Sequence, residues 1–178
     1  MNIIDAIKSN DFNEIKKIID NDENIVKEID SSKALFDAIR IGNTDVVRLL
    51  LDVKVNVNIV NDYGSSTISG ALGIRRLASD LDDKNDKYLE IIKMLINYEA
   101  EVNHRGIKGA TPLIEAVKNH DIHACHLLLV YQADANMDDN SLKSALYYAI
   151  EEEQNEMVDF LRKPFSYWYD IRKELEAD

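Results

Sequence analysis

Four aliphatic stripes recur along the chain, and polar or charged residues separate them. They span residues 46–51, 91–96, 124–129 and 157–161. Within each stripe, apolar side chains fall three and four positions apart, which is the period of one helix face. Polar turns such as Gly42-Asn43 and Asn119-His120-Asp121 come before the stripes. The pattern predicts pairs of helices, in which a short first helix and a polar turn precede each stripe.

Alanines on the first helix of each pair show a regular period. They are Ala6, Ala38, Ala71, Ala116 and Ala149, at intervals of 32, 33, 45 and 33 residues. The asparagines at positions 58, 103 and 136, which close three of the units, give intervals of 45 and 33 residues. The two landmarks agree on a 33-residue repeat with one insertion of 12 residues. Because no helix pair buries both of its faces alone, we expect the units to stack through their small alanines.

The clearest unit begins at Thr111-Pro112-Leu113-Ile114-Glu115-Ala116. Its threonine hydroxyl can cap a helix, and its proline occupies the first helical position, where the missing N–H costs nothing. Weaker versions lie at 66–71, 144–149 and 33–38. The motif resembles the Thr-Pro-Leu-His-x-Ala signature of the ankyrin repeat family. The resemblance implies an all-α, right-handed ankyrin-repeat solenoid of about five helix-turn-helix units with an extra C-terminal helix.

A second motif of that family, the closing Gly-Ala-Asp-x-Asn, resembles residues 132–136 and 99–103 and, more loosely, 54–58. In this chain the glycine of the motif is replaced by Gln132, Glu99 and Lys54. We therefore expect side chains at positions of positive φ, which only glycine adopts freely. The histidine of the signature is also absent from every unit. For both reasons we expect an array that is less stable than a consensus one.

The C-terminal segment departs from the repeat pattern. Pro164 stops the preceding helix, so we place the repeat array at residues 1–163 and a capping helix at 164–178. Trp168, Ile171 and Leu175 form one apolar stripe on this added helix. The aromatic run at 167–169 either covers the end of the last repeat or anchors a partner.

The insertion, at about residues 74–87, lies in the third unit. We expect the first helix of that unit to extend through Ile74, Leu77 and Leu81, with a polar loop following at 82–87. Gly70 and Gly73 lie inside this helix, where each costs about 1 kcal/mol relative to alanine. They either make room for a ligand or a neighbouring backbone, or they are a weakness that packing tolerates.

The net charge of the chain limits the classes of partner that it can be expected to bind. A net charge of −12 and a pI near 4.7 disfavour nucleic acid and anionic membrane surfaces and favour a cationic patch on a protein. Cys125 is the only cysteine, so no internal disulfide can form, which suits a reducing compartment. No apolar run approaches the roughly 18 residues of a spanning helix, and the first residues lack the pattern of a secretory signal.

These features lead us to expect a cytoplasmic protein, or one in a host cytosol after export by a non-classical route. The richness in Ile, Asn, Lys and Asp is typical of AT-rich genomes. It favours a parasite, symbiont or virus, and a role as a host-directed effector.

Candidate catalytic and metal-binding groups have weak patterns. His120, His123 and His126 are spaced by three around Cys125, but successive steps of three drift around a helix, and Cys125 occupies the buried stripe. The acidic segment 80–86 has asparagine where a calcium loop needs glycine, and isoleucine at position twelve where the loop needs glutamate. No phosphate loop or nucleophile elbow is present. We therefore expect no metal, no cofactor and no enzymatic activity.

The family resemblance implies a non-catalytic protein–protein interaction module that binds a partner protein on a concave face built from first helices and fingertips. We expect Tyr63 and Tyr148 to be the best anchors, because they lie outside the buried stripe. The full set of expected contact residues is Asp37, Arg40, Asp62, Tyr63, Ile107, Lys108, Glu115, Lys118, Asn140 and Tyr148. The alternative is an acidic regulatory inhibitor that occludes a basic surface of a target, using the insertion and residues 151–156. We expect a monomer.

Overall fold

The structure is a computed structural model that describes residues 1–22, 24–77 and 85–177. The described secondary structure is α-helical, apart from one short 3₁₀ turn and two isolated β-bridges. The chain divides into two compact units, Met1–Ala100 and Glu101–Asp178. No described helix is both long and apolar enough to cross a membrane.

In the first unit, the described residues form three helix pairs and one additional helix. Its helices are α1 (Ile3–Lys8), α2 (Phe12–Asn21), α3 (Ile25–Ser32), α4 (Ala34–Ile41), α5 (Thr44–Asp52), α6 (Thr67–Leu77) and α7 (Asn85–Asn97). The pairs are α1/α2, α4/α5 and α6/α7, in agreement with the predicted repeat. The first helices α1, α4 and α6 pack in sequence, and so do the second helices α2, α5 and α7.

The second unit contains two further pairs and the added helix. Its elements are the 3₁₀ turn Ile107–Gly109, α8 (Pro112–Lys118), α9 (Ile122–Val130), α10 (Ala145–Glu151), α11 (Asn155–Leu161) and α12 (Phe165–Ala177). Helix α8 packs on α10, and α9 packs on α11. The predicted helix after Pro164 is present as α12, and it packs against α9.

Helix starts and turns follow from local chemistry. The Thr111 hydroxyl accepts a hydrogen bond from Ile114 N at 3.3 Å, and Pro112 begins α8, as predicted. Asn43 and Asp121 cap α5 and α9 in the same way. The residue just before each of these two caps, Gly42 or His120, has positive φ and reverses the chain between the two helices of a pair.

The closing positions also behave as predicted. Lys54, Glu99 and Gln132 have φ values of 63°, 69° and 67°, in the left-handed region that glycine normally occupies. The asparagine landmark has a structural reason, since it joins successive turns. Asn58 Nδ2 donates to Glu99 O at 3.0 Å in the first unit, and Asn103 Oδ1 accepts from Asp134 N at 2.8 Å in the second.

The buried residues confirm that the alanines lie between stacked helices and that the aliphatic stripes form the core. Ala38 and Ala71 in the first unit, and Ala116 and Ala149 in the second, are fully buried. The aliphatic stripes of α5, α7 and α9 are buried behind them, and Cys125 is buried within the third stripe. Burial and the nearby Asp121 carboxylate raise the pKa of the Cys125 thiol, so this cysteine is held in its unreactive form.

Two elements differ from the sequence-based expectation. Helix α3 was not predicted, and it joins α4 directly through Lys33, whose φ is 56°. It therefore occupies the place of the first hairpin finger. In the insertion, α6 includes Ile74 and Leu77 as predicted, while Leu81 lies outside the described residues. The predicted polar loop is wrong for residues 85–87, which belong to α7, and its residues 82–84 lie outside the described range.

The added helix covers part of the last repeats. Trp168 is 3% exposed, and its ring centroid lies 5.4 Å from that of His126 and 5.9 Å from that of Phe160. Tyr167 and Tyr169, on either side, remain exposed. The aromatic run was expected either to cover the end of the last repeat or to anchor a partner. The burial of Trp168 favours the first alternative. It also leaves His126 half-buried, although its equivalent in α5, Arg48, is exposed.

The two glycines of α6 have different surroundings. A Cβ at Gly70 would lie 3.0 Å from Cε1 and 3.2 Å from Cδ1 of Phe36, so this glycine makes room for the ring of α4. A Cβ at Gly73 would have no described atom within 4 Å. Gly70 thus makes room for a neighbouring side chain, whereas no contact among the described residues requires Gly73.

We predict that Gly73→Ala raises the free energy of unfolding by about 1 kcal/mol, because alanine favours the helix and meets open space. Gly70→Ala gains the same propensity but pushes against Phe36, so its stability should fall below that of Gly73→Ala. Urea unfolding of both variants measures the difference. Equal gains at the two positions would show that Phe36 does not constrain α6.

We also predict a pH dependence from His126. Burial, together with the positive charge of His123, lowers the pKa of His126 from its ordinary value of 6.5. Below that value, the unfolded chain takes up the proton more readily than the folded one, so stability falls as the pH decreases from about 6.5. Replacing His126 with Phe should reduce the loss of melting temperature between neutral pH and pH 5. The prediction fails if His126→Phe shows the wild-type pH dependence.

Candidate protein-interaction surface

In the first unit, the candidate surface is centred on the hairpin tip between α5 and α6. Val60 and Ser66 form an antiparallel bridge at its base. At the tip, Asn61 N donates to Ser65 O at 3.0 Å, and the Asn61 side chain accepts from Tyr63 N at 2.9 Å and from Ser65 N at 3.0 Å. Gly64 completes the turn with a φ of 80°. These bonds fix the backbone on both sides of Tyr63.

Tyr63 is therefore presented from a well-held turn with its ring in solvent, at 79% exposure. Its neighbour Asp62 is also exposed and lies 2.7 Å from Lys33 Nζ, and this ion pair lowers the pKa of Asp62. On α4, Asp37 accepts from Arg40 at 3.1 Å. The first unit thus places an aromatic group and several charges on fingertip and first-helix positions.

In the second unit, two hairpin tips are joined to each other. Asp138 and Ser144 form the bridge of the second tip. Arg105 Nη1 donates to Asp138 O at 2.7 Å, and Asn140 N donates to Lys108 O at 2.9 Å. Ile107, Lys108 and Asn140, all expected contact residues, are exposed on these tips. The structure therefore brings these three together.

Tyr148 does not fit its expected role. It is only 9% exposed, and its hydroxyl donates to Asp139 Oδ2 at 2.6 Å. This bond lowers the pKa of Asp139 and raises that of Tyr148. The prediction that Tyr148 has no core to fill is wrong, because the Asp139 turn and the Lys118 ammonium, 4.6 Å from the ring centroid, enclose it. Lys118 itself is exposed and Glu115 is half-buried.

Sequence reasoning missed Leu142 at the second tip. In the repeat register it is equivalent to Gly64 and Gly109, and like them it has positive φ, 58° against 80° and 75°. A leucine there carries backbone strain, yet its side chain is 82% exposed and fills no core position. Aligning the tips by their cap residues Ser66, Thr111 and Ser144 would have revealed it.

The histidines and acidic residues form no described catalytic or metal constellation. His126 contacts Phe160 and Trp168, whereas His120 Nε2 lies 3.2 Å from Glu152. Among the described residues, no group of three or more His, Cys, Asp or Glu side chains is placed to hold a metal ion.

Comparisons with known proteins agree with this geometry. A family model of ankyrin repeats in three copies matches residues 78–171, and a single ankyrin repeat matches residues 34–62. The chain is similar to putative ankyrin repeat protein FPV014 of fowlpox virus, with 27% identity over 139 residues, covering 76% of this chain and 29% of that protein.

It is also similar to putative ankyrin repeat protein L371 of Acanthamoeba polyphaga mimivirus, with 23% identity over 144 residues, covering 78% of this chain and 17% of that protein. The chain thus spans less than a third of the length of these relatives. Since the three-repeat model alone matches more than half of the residues, the chain belongs to the ankyrin repeat family.

Proposed function

We propose that this protein–protein interaction module binds a partner protein through the fingertips and first helices of its two units, the positions that form the concave face of ankyrin repeats. The single observation that carries the proposal is Tyr63, held by the hydrogen bonds of its turn and exposed at 79%. An aromatic side chain on a rigid support loses little entropy on binding, which is why tyrosine is frequent at binding hot spots.

The second tip supports the same assignment. Leu142 stays in a strained backbone conformation and points an apolar side chain into solvent. Backbone strain of this kind is often retained at functional sites. The exposed Ile107 and Lys108 lie on the adjoining tip. A partner would meet an apolar and basic surface in the second unit.

The alternative, an acidic inhibitor of a basic surface, receives less support. The net charge of −12 favours it. However, Glu151 pairs with Lys143 at 2.9 Å, and Glu152 approaches His120 at 3.2 Å, so two of its acidic residues already have partners within the fold. Half of the insertion, residues 78–84, lies outside the described residues.

We predict that a photo-crosslinking amino acid at position 63 or 142 traps the partner in lysate of the cells where the protein occurs naturally. Matched positions on the second helices, Lys93 and Asp159, are also exposed but should not trap it. Equal trapping at all four positions, read by mass spectrometry, would contradict the assigned surface.

We predict that Leu142→Gly weakens partner binding while it stabilises the fold. Glycine relieves the positive φ, so the free energy of unfolding should rise by up to about 1 kcal/mol. Loss of the apolar side chain should weaken binding of the trapped partner about tenfold, equivalent to about 1.4 kcal/mol. Calorimetry with that partner and thermal melts measure the two effects. Unchanged affinity with raised stability would remove Leu142 from the surface.

A further inference from the structure

A cavity of about 580 Å³ lies beside the last closing turn of the second unit, residues 132–136. Its other walls include residues 161–164, at the end of α11, and Trp168 of α12. The buried side chains of Leu129 and Leu161 give it an apolar part. No described residue that lines the cavity belongs to the contact surface proposed above.

The cavity lies where the sequence does not provide a further closing turn. Phe165 is equivalent in the repeat register to Gln132, the first residue of the last closing turn. Pro164 cannot continue α11, and the chain begins α12 at Phe165 instead of forming another turn. Because α12 packs back against α9, it does not take the place of that turn.

Closing turns in this chain are held by a recurring hydrogen bond, in which the third residue of the turn donates its N–H to a side chain of the preceding repeat. In the first unit, Asn56 N donates to Asp30 Oδ1 at 2.8 Å. In the second unit, Asp134 N donates to Asn103 Oδ1 at 2.8 Å.

Asn136 is the equivalent of Asn103 in the last closing turn, and it is exposed beside the cavity. Its Nδ2 donates to Asp134 Oδ1 of its own turn at 3.2 Å. No N–H of the described residues donates to Asn136 Oδ1. The last closing turn therefore keeps a free acceptor at the point where the N–H of a following turn would bind.

The walls of the cavity favour an anionic occupant. Arg162 and Lys163 contribute two exposed cations to them. Asp134 is the one acidic side chain among the described lining residues, and its Oδ1 already accepts from Asn136 N at 2.9 Å. Trp168 Nε1 is buried without a hydrogen-bond partner among the described residues, which is unfavourable for a donor. The walls thus contain an unpaired donor as well as two cations.

The existing closing turns indicate the shape that fits beside such a turn. Their second residue is apolar and buried, and their third residue is polar or acidic. The second residues are Val55, Ala100 and Ala133, and the third residues are Asn56, Glu101 and Asp134. A ligand of the same form would place a small apolar group in the cavity and an acidic group beside its cations.

We propose that this cavity binds a short acidic segment of a partner protein, in which a small apolar residue precedes an aspartate or glutamate, at the position of a further closing turn. The small residue packs on Leu129 and Leu161. The acidic residue donates its N–H to Asn136 Oδ1, and its carboxylate binds Arg162 and Lys163. The site is separate from the fingertip surface, so neither proposal depends on the other.

Trp168 is the only tryptophan of the chain, so its fluorescence reports directly on the cavity wall. The probe is the acetylated and amidated peptide Gln-Ala-Asp-Ala-Asn-Met, the sequence of residues 132–137, titrated into the full chain. We expect a saturable change of emission with a dissociation constant on the order of 0.5 mM, because a short flexible peptide loses much entropy on binding. The matched peptide with Asn in place of Asp should bind about tenfold more weakly, since it lacks the carboxylate.

Three results of this titration would overturn the proposal. The first is the absence of a saturable change up to about 5 mM peptide, which is ten times the expected dissociation constant. The second is equal affinity for the acidic peptide and its amide counterpart. The third is the same change of emission with acetate at equal concentration, which would indicate a site for small anions only.

Variants of the walls test the assigned contacts. The double variant Arg162→Gln with Lys163→Gln should lose the preference for the acidic peptide, and Asn136→Ala should weaken both peptides alike. The matched control Lys93→Gln, an exposed cation on α7 of the first unit, should bind like wild type. All of these positions are exposed, so circular dichroism melts should stay close to that of wild type. Equal loss of binding in Lys93→Gln would show a general attraction of charges and would overturn the assignment.

Nuclear magnetic resonance of the full chain locates the bound peptide independently. Backbone amide shifts should concentrate at residues 132–136 and 161–168, while the fingertip residues 60–66 and 138–144 should not change. Shifts confined to the fingertips would contradict the cavity site and would instead support the contact surface proposed above.

Discussion

The contact between neighbouring first helices through alanine is the constraint on which the rest of the structure depends. A short helix pair cannot bury its stripe and its alanine face by itself, so each pair needs a neighbour. Ala38 and Ala71 in the first unit, and Ala116 and Ala149 in the second, are fully buried where first helices meet. Among the described helices, none packs on the outer face of α10, where Tyr147 and Ile150 are 46% and 53% exposed.

The turns show how this chain obtains the repeat geometry without the usual glycines. Lys54, Glu99 and Gln132 adopt positive φ at the closing turns, and each costs on the order of 1 kcal/mol relative to a relaxed backbone. Inter-turn hydrogen bonds from Asn58 and to Asn103 help to hold those turns in place. Leu142 also has positive φ, and its apolar side chain is 82% exposed.

The placement of individual charges adds detail that the net charge does not give. A total of −12 favours a basic partner, yet several acidic residues are neutralised locally, as in the pairs of Asp62 with Lys33 and Glu151 with Lys143. On the joined tips of the second unit, Arg105 and Lys108 lie beside exposed apolar side chains. The local surface, rather than the sum over the chain, sets what can bind there.

The sequence by itself determined the helix pairs, the Thr111 cap with Pro112, the positive φ at Lys54, Glu99 and Gln132, and the buried stripes. Each of these depends on residues within about one repeat, so period and local stereochemistry are sufficient. Only the tertiary structure decided the environment of Tyr148, which the Asp139 turn nine residues upstream encloses. It also decided the half-burial of His126 beneath Trp168, and the exposure of Tyr147 and Ile150. The exposure of a side chain depends on which element packs against its helix face. The periodic pattern of the sequence marks the apolar faces but does not indicate which of them are covered.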